Sequence, residues 1–126
     1  MSVHFVDNDI FTGSIDQLDN QGIGGWIYDK LNKIAPTLSI YIDNILIREI
    51  KPNIVREDLP APLNIVATGF FYRFLPEFRD GQSHSIRINA SNSDIIIFKN
   101  LDRKIYPIAG QEKFIDNDTF IGTIDQ

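Results

Sequence analysis

Residues 4–17, HFVDNDIFTGSIDQ, recur almost intact as residues 113–126, KFIDNDTFIGTIDQ. Nine of the fourteen positions are identical: Phe5/Phe114, Asp7/Asp116, Asn8/Asn117, Asp9/Asp118, Phe11/Phe120, Gly13/Gly122, Ile15/Ile124, Asp16/Asp125 and Gln17/Gln126. Val6/Ile115 and Ser14/Thr123 keep the side-chain chemistry. The copies begin 109 residues apart (113 against 4), about the length of one small domain. The spacing predicts one complete repeat followed by the opening strand of another. Residues 1–9 then read as an N-terminal linker or junction, 10–110 as the repeat, and 111–126 as the start of the next. A module from an array is more often a binder or a spacer than an enzyme. Its first expected partners are adjacent repeats of a longer parent chain.

The 126 residues can bury a real core without staples. Hydrophobic residues make up 43% and charged residues 23%, which is a globular composition. Ile, Val and Phe carry much of the apolar share, and these side chains suit a pleated, half-buried surface. A net charge of −5 argues against nucleic acid and against an anionic membrane surface as partners. No run of about 18 apolar residues exists to span a bilayer. Cysteine is absent, which excludes disulfides, thiolate metal sites and thiol catalysis. No signal peptide is visible in MSVHFVDND.

Residues 10–18 read as a first strand, followed by the turn Asp19-Asn20-Gln21-Gly22. Residues 23–29 carry the only Trp on a second strand. Leu38, Ile40 and Ile42 alternate with Ser39 and Tyr41, and Asp43-Asn44 is a hairpin turn leading to a partner strand over 45–50. Three prolines in 51–66 predict a long connection, with one helical turn at 55–59. Phe70, Tyr72 and Phe74 share one face of a strand over 67–75, and Ile86 and Ile88 share one face of 84–90. The continuous run 95–98 suggests a strand buried on both faces, and 99–112 a mixed connector. Short strands with turn signals about every ten residues predict an all-β fold, an Ig-like antiparallel β-sandwich of about seven to eight strands.

Gly13, Ile15, Asp16, Gly25, Trp26, Asp29, Arg56, Asp58, Leu59, Gly69, Phe70, Leu75, Pro76, Asp80, Gly81, His84, Ile86 and Arg87 form the pattern G-x-I-D, G-W-x-x-D, R-x-D-L, G-F-x-x-x-x-L-P, D-G-x-x-H-x-I-R. This pattern resembles a small β-sandwich repeat of bacterial glycosyltransferase-associated and cell-surface polysaccharide proteins. The resemblance covers about residues 13–90. It implies a non-catalytic accessory module recognising glycan or protein, and an extracellular or cell-surface setting over a cytoplasmic one. The chain departs from the pattern at Asn44, where a glycine is usual, and at Pro60 and Pro62 in a loop that is usually glycine-rich.

Catalysis finds little support. Neither His neighbours an evident nucleophile, and the carboxylates fall mainly in turns. Trp26 and Tyr28, at i and i+2, share a strand face and suit a sugar platform, but a strand Trp more often fills the core, which is the favoured reading. Tyr41 points outward and is the better exposed aromatic. Arg56 and Asp58 either form a polar site for hydroxyls or hold a long loop in shape, the second being favoured. Asp7, Asp9, Asp116 and Asp118 offer hard oxygens that suit Ca²⁺ at the repeat junctions, against a plain turn reading. The alternative to a recognition module is a structural spacer in a tandem adhesin-like array, rigidified by Ca²⁺ at its junctions. Residues 113–126 could also form a strand-swapped homo-oligomer.

Overall fold

The computed structural model describes residues 4–91 and 93–107. Ten strands form within them: β1 His4–Asp7, β2 Phe11–Leu18, β3 Gly22–Asp29, β4 Leu38–Ile42, β5 Ile45–Ile50, β6 Gly69–Arg73, β7 Ser83–His84, β8 Ile86–Ala90, β9 Ile96–Phe98 and β10 Arg103–Lys104. They build two four-stranded antiparallel sheets, ordered β1-β2-β3-β6 and β5-β4-β8-β9, and a small β10-β7 pair. The all-β sandwich expected from the sequence is what forms.

The period-2 pattern explains the core. Ile15, Ile23 and Ile27 from the first sheet meet Ile40, Ile42 and Ile88 from the second, all with 2% exposure or less. Leu101 and Ile105 close one end. Each such side chain contributes about 1.5–3 kcal/mol on burial. Asp43 and Asn44 take φ of 54° and 67°, so the β4–β5 hairpin turns through two left-handed residues, which Asp and Asn tolerate without the usual glycine.

Three local readings change. Residues 1–9 are not simply a linker, because His4–Asp7 is strand β1, paired from His4↔Ile15 to Asp7↔Thr12. The turn that follows is built by Asn8, whose Oδ1 accepts the N–H groups of Ile10 and Phe11, both at 2.8 Å. The repeated sequence therefore begins the chain as a β-hairpin rather than a single strand. Its second copy, 113–126, lies outside the described residues. Residues 95–98 are not buried on both faces: β9 is the edge of the second sheet, and Ile96 is 48% exposed. The short helix falls at Leu63–Ile65, while residues 56–59 make only a turn, with Leu59 N–H donating to the Arg56 carbonyl at 3.1 Å.

Because both sheets share one core, Ile40→Ala should lower unfolding stability by about 2–5 kcal/mol. A urea midpoint measurement checks this, and a loss below about 1 kcal/mol would contradict a shared core at that layer.

Candidate functional site

The free edges of β5 and β6 lie on the same flank of the sandwich and enclose an open cleft of about 510 Å³. Arg48 and Lys51 line it from β5 and the residue after it, Phe71 and Arg73 from β6, with Asn53 between them. Arg48 pairs with core-facing Ile40, so its side chain leaves the interior face of β5 at the sandwich mouth. Across from it, Tyr72 is 3% exposed, and its hydroxyl has no partner among the described residues. Burial pushes that hydroxyl above the ordinary phenol range, with the Arg48 charge opposing.

A second hollow of about 250 Å³ adjoins the cleft at Phe70 and Phe71. Its floor is Gly24, Gly25 and Gly69, and Arg56 lies along it. Arg56 can lie there only because residue 69 lacks a side chain: a Cβ would stand 3.0 Å from Arg56 Cγ. Its Nη2 reaches Asp16 Oδ2 and Asp58 Oδ2, both at 2.9 Å, and its Nε donates to Asp58 Oδ1 at 2.9 Å. A bulge between Ile15 and Gln17 inserts Asp16 into β2 and turns its carboxylate to that position. The Asp58 carboxylate first, then Asp16, hold the guanidinium firmly charged. Phe71, 40% exposed, stands between the two hollows.

The sequence-predicted site residues scatter. Trp26 and Tyr28 do share a face, but it is the outer one, since Ile23 and Ile27 take the interior face of β3. Trp26 is half-buried opposite Ser14 and Gly69, not in the core, and Tyr28 is buried opposite Thr12. Both faces of β3 are apolar, so period-2 alternation alone does not say which row is interior. Neither ring lines the cleft. Tyr41 points outward, but the Arg87 guanidinium sits 4.1 Å from its ring centroid and covers one side. Arg56 and Asp58 shape the loop. At the first DND segment, Asp7 pairs with Lys30 at 2.8 Å and Asn8 spends its side-chain oxygen on the turn. Among the described residues no group of three or more His, Cys, Asp or Glu is disposed to hold a metal. Asp116 and Asp118 lie outside the described residues.

One polar cluster escaped the sequence reading. His84, 8% exposed, places Nδ1 2.7 Å from Asp43 Oδ2 and Nε2 2.9 Å from Asp80 Oδ1. Asp43 also accepts the Ser85 N–H at 3.0 Å. The D-G-x-x-H spacing carried half of this signal; the other carboxylate comes from 41 residues away. With both ring nitrogens engaged by carboxylates, the imidazole is a pin between the β4–β5 hairpin and the turn before β7. It leaves no free nitrogen for proton transfer.

Comparison with family models, characterised proteins and solved structures returns no match. What the structure adds to the sequence pattern is the physical work of its polar members. Asp16, Arg56 and Asp58 tie a loop to a sheet; Asp80 and His84 tie a turn to a hairpin; Asp29 Oδ1 accepts the N–H groups of Leu31 and Asn32.

The His84 cluster sets a pH dependence. The Asp43 bond first, then Asp80, raise the His84 pKa above its ordinary value near 6.5. That stabilisation is full below about 6.5 and is lost as pH rises through the raised folded value. The Asp43 carboxyl is lowered by His84, so its share is present above about 3.8 and lost as pH falls through its lowered value. Melting followed across pH should show a plateau between these limits. His84→Leu should lower stability by about 1–3 kcal/mol at pH 6 and flatten the alkaline limb; an unchanged alkaline limb would contradict the assignment.

Proposed function

We propose that this domain is a non-catalytic recognition module of a larger bacterial surface or glycan-handling protein, and that it binds an acidic glycan in the β5–β6 cleft. One observation carries the reading. In a chain of net charge −5, Arg48, Lys51 and Arg73 gather at a single cleft, and Arg48 and Arg73 have no carboxylate partner among the described residues. The one acid lining the cleft, Glu49, receives the Ser39 hydroxyl at 3.3 Å. Arginine forks suit the carboxylates of uronic acids, Asn53 suits a hydroxyl, and exposed Phe71 offers a ring to the apolar face of a sugar. The resemblance to polysaccharide-associated repeats points the same way and favours an extracellular setting.

An extended peptide fits the cleft less well. Gly69 already exchanges backbone bonds with Ile54 and accepts from Asn53, leaving only Phe71 to Arg73 of the β6 edge open for strand addition.

Calorimetric titration with uronic-acid oligosaccharides and neutral ones of equal length tests the proposal. Acidic oligomers should bind and weaken with salt, and Arg48→Gln with Arg73→Gln should cost about tenfold or more in affinity, about 1.4 kcal/mol. The melting temperature should barely move. Silence from the acidic oligomers, or binding indifferent to both substitutions, would refute the cleft as the site.

A further inference from the structure

Two glycines of β3 give one aromatic ring a seat on the outer face of the first sheet. Phe71 belongs to the outer row of β6, because Phe70 and Tyr72 take the interior. Its partner across the ladder is Gly24, and Gly22 lies two residues along the same row of β3. A Cβ at Gly22 would stand 2.9 Å from Phe71 Cζ, and one at Gly24 would stand 3.2 Å from Phe71 Cδ1. The ring therefore occupies the space that side chains at 22 and 24 would fill, and it rests on bare backbone. It is still 40% exposed. A ring supported in this way has little rotamer freedom left to lose when a ligand stacks on it.

The two hollows that meet at this ring differ in charge. On the β5 side Arg48, Lys51 and Arg73 outnumber Glu49. On the β3 side Arg56 is paired with both Asp16 and Asp58, so no positive charge is left over for an acidic ligand. The polar atoms there suit hydroxyls instead. Arg56 spends Nε and Nη2 on the two carboxylates, which leaves Nη1 outside those bonds, and Asp16 engages it through Oδ2 and not Oδ1. Gln17 donates through Nε2 to Asp19 Oδ2 at 3.2 Å, while its Oε1 stands 3.5 Å from where a Gly24 Cβ would be, beside the seat of the ring. A hydroxyl both donates and accepts, so it can serve a guanidinium nitrogen and a carboxylate or amide oxygen together. A ligand carboxylate only accepts, and here it would meet two like charges.

We infer that this hollow is a second subsite, which takes a neutral sugar stacked on Phe71 beside the acidic sugar held in the β5–β6 cleft. The inference rests on the acidic-glycan reading of that cleft and narrows it to a mixed polymer, in which an acidic sugar is followed by a neutral one. The ligand crosses the edge of β6 at Phe71, which lines both hollows. The apolar face of the neutral pyranose lies on the ring, and its hydroxyls turn toward Asp16, Gln17 and Arg56.

Calorimetric titration of the full chain with three oligosaccharides of equal length and linkage tests this: glucuronic acid alone, glucuronic acid alternating with glucose, and glucose alone. The alternating oligomer should bind about tenfold tighter than the all-acid one. Phe71→Leu, which keeps the bulk and loses the flat ring, should abolish that preference. Gly24→Val, which keeps the ring and takes its seat, should do the same, while Phe71→Tyr should preserve it. Thermal melts of the variants should stay close to the parent's; if Gly24→Val melts well below it, the Leu and Tyr variants at 71 decide alone. If the all-acid oligomer binds and the alternating one has no advantage, or keeps its advantage in Phe71→Leu, the subsite falls and the cleft reading stands. If both acid-containing oligomers are silent, the cleft reading falls and takes the inference with it, whether or not glucose alone binds.

Discussion

The first sheet depends on how closely β2 and β3 can approach. Gly13 and Gly25 face the partner strand where a Cβ would collide with the backbone carbonyls of Trp26 and Ser14 respectively. With no side chain at either position the ladder closes, and β1 and β6 add to its two sides. The same bare backbone at Gly25 and Gly69 leaves the shallow floor along which Arg56 lies to reach Asp16. Asp16, next to inward-facing Ile15 and ahead of the register shift at Gln17, completes the arrangement from the outer side of β2.

Two polar pins fix what the core does not. The loop before β6 is long and rich in proline, and Arg56, paired with Asp58 within it, ties it to β2 through Asp16. His84 does the same for the turn ahead of β8, joined to the β4–β5 hairpin through Asp43. Both pins leave the β5–β6 flank open. That flank presents the edges of β5 and β6, and there Arg48 and Arg73, spent on neither pin, face solvent. A charged edge also discourages edge-to-edge association, so one feature serves both solubility and the proposed binding of an acidic ligand.

Much of the fold was legible in the chain because burial in a sheet leaves a period of two. Leu38, Ile40 and Ile42, or Phe70, Tyr72 and Phe74, announce an interior row by themselves. The period fails where a strand is apolar on both faces, as in β3, which is why Trp26 lies on the outer face although a core position is expected of it. It also fails at edges: β1 and β9 bury too little for their sequence to separate strand from linker or edge from centre.

The candidate site was legible only in pieces. Arg56 and Asp58 are two residues apart and their pairing was readable, but Asp16 joins them from a distant strand. Arg48 and Arg73 come from strands that are neighbours only because the two sheets stack with β5 and β6 on one flank. By itself the sequence determined the strands, the hairpin turns and the duplication of residues 4–17, since these depend on local alternation, turn chemistry and plain identity. Only the tertiary structure decided that residues 4–18 form a hairpin, which face of β3 is interior, and where Arg48 and Arg73 converge. Each of those is set by contacts between residues far apart in the chain, and local patterning carries no record of them.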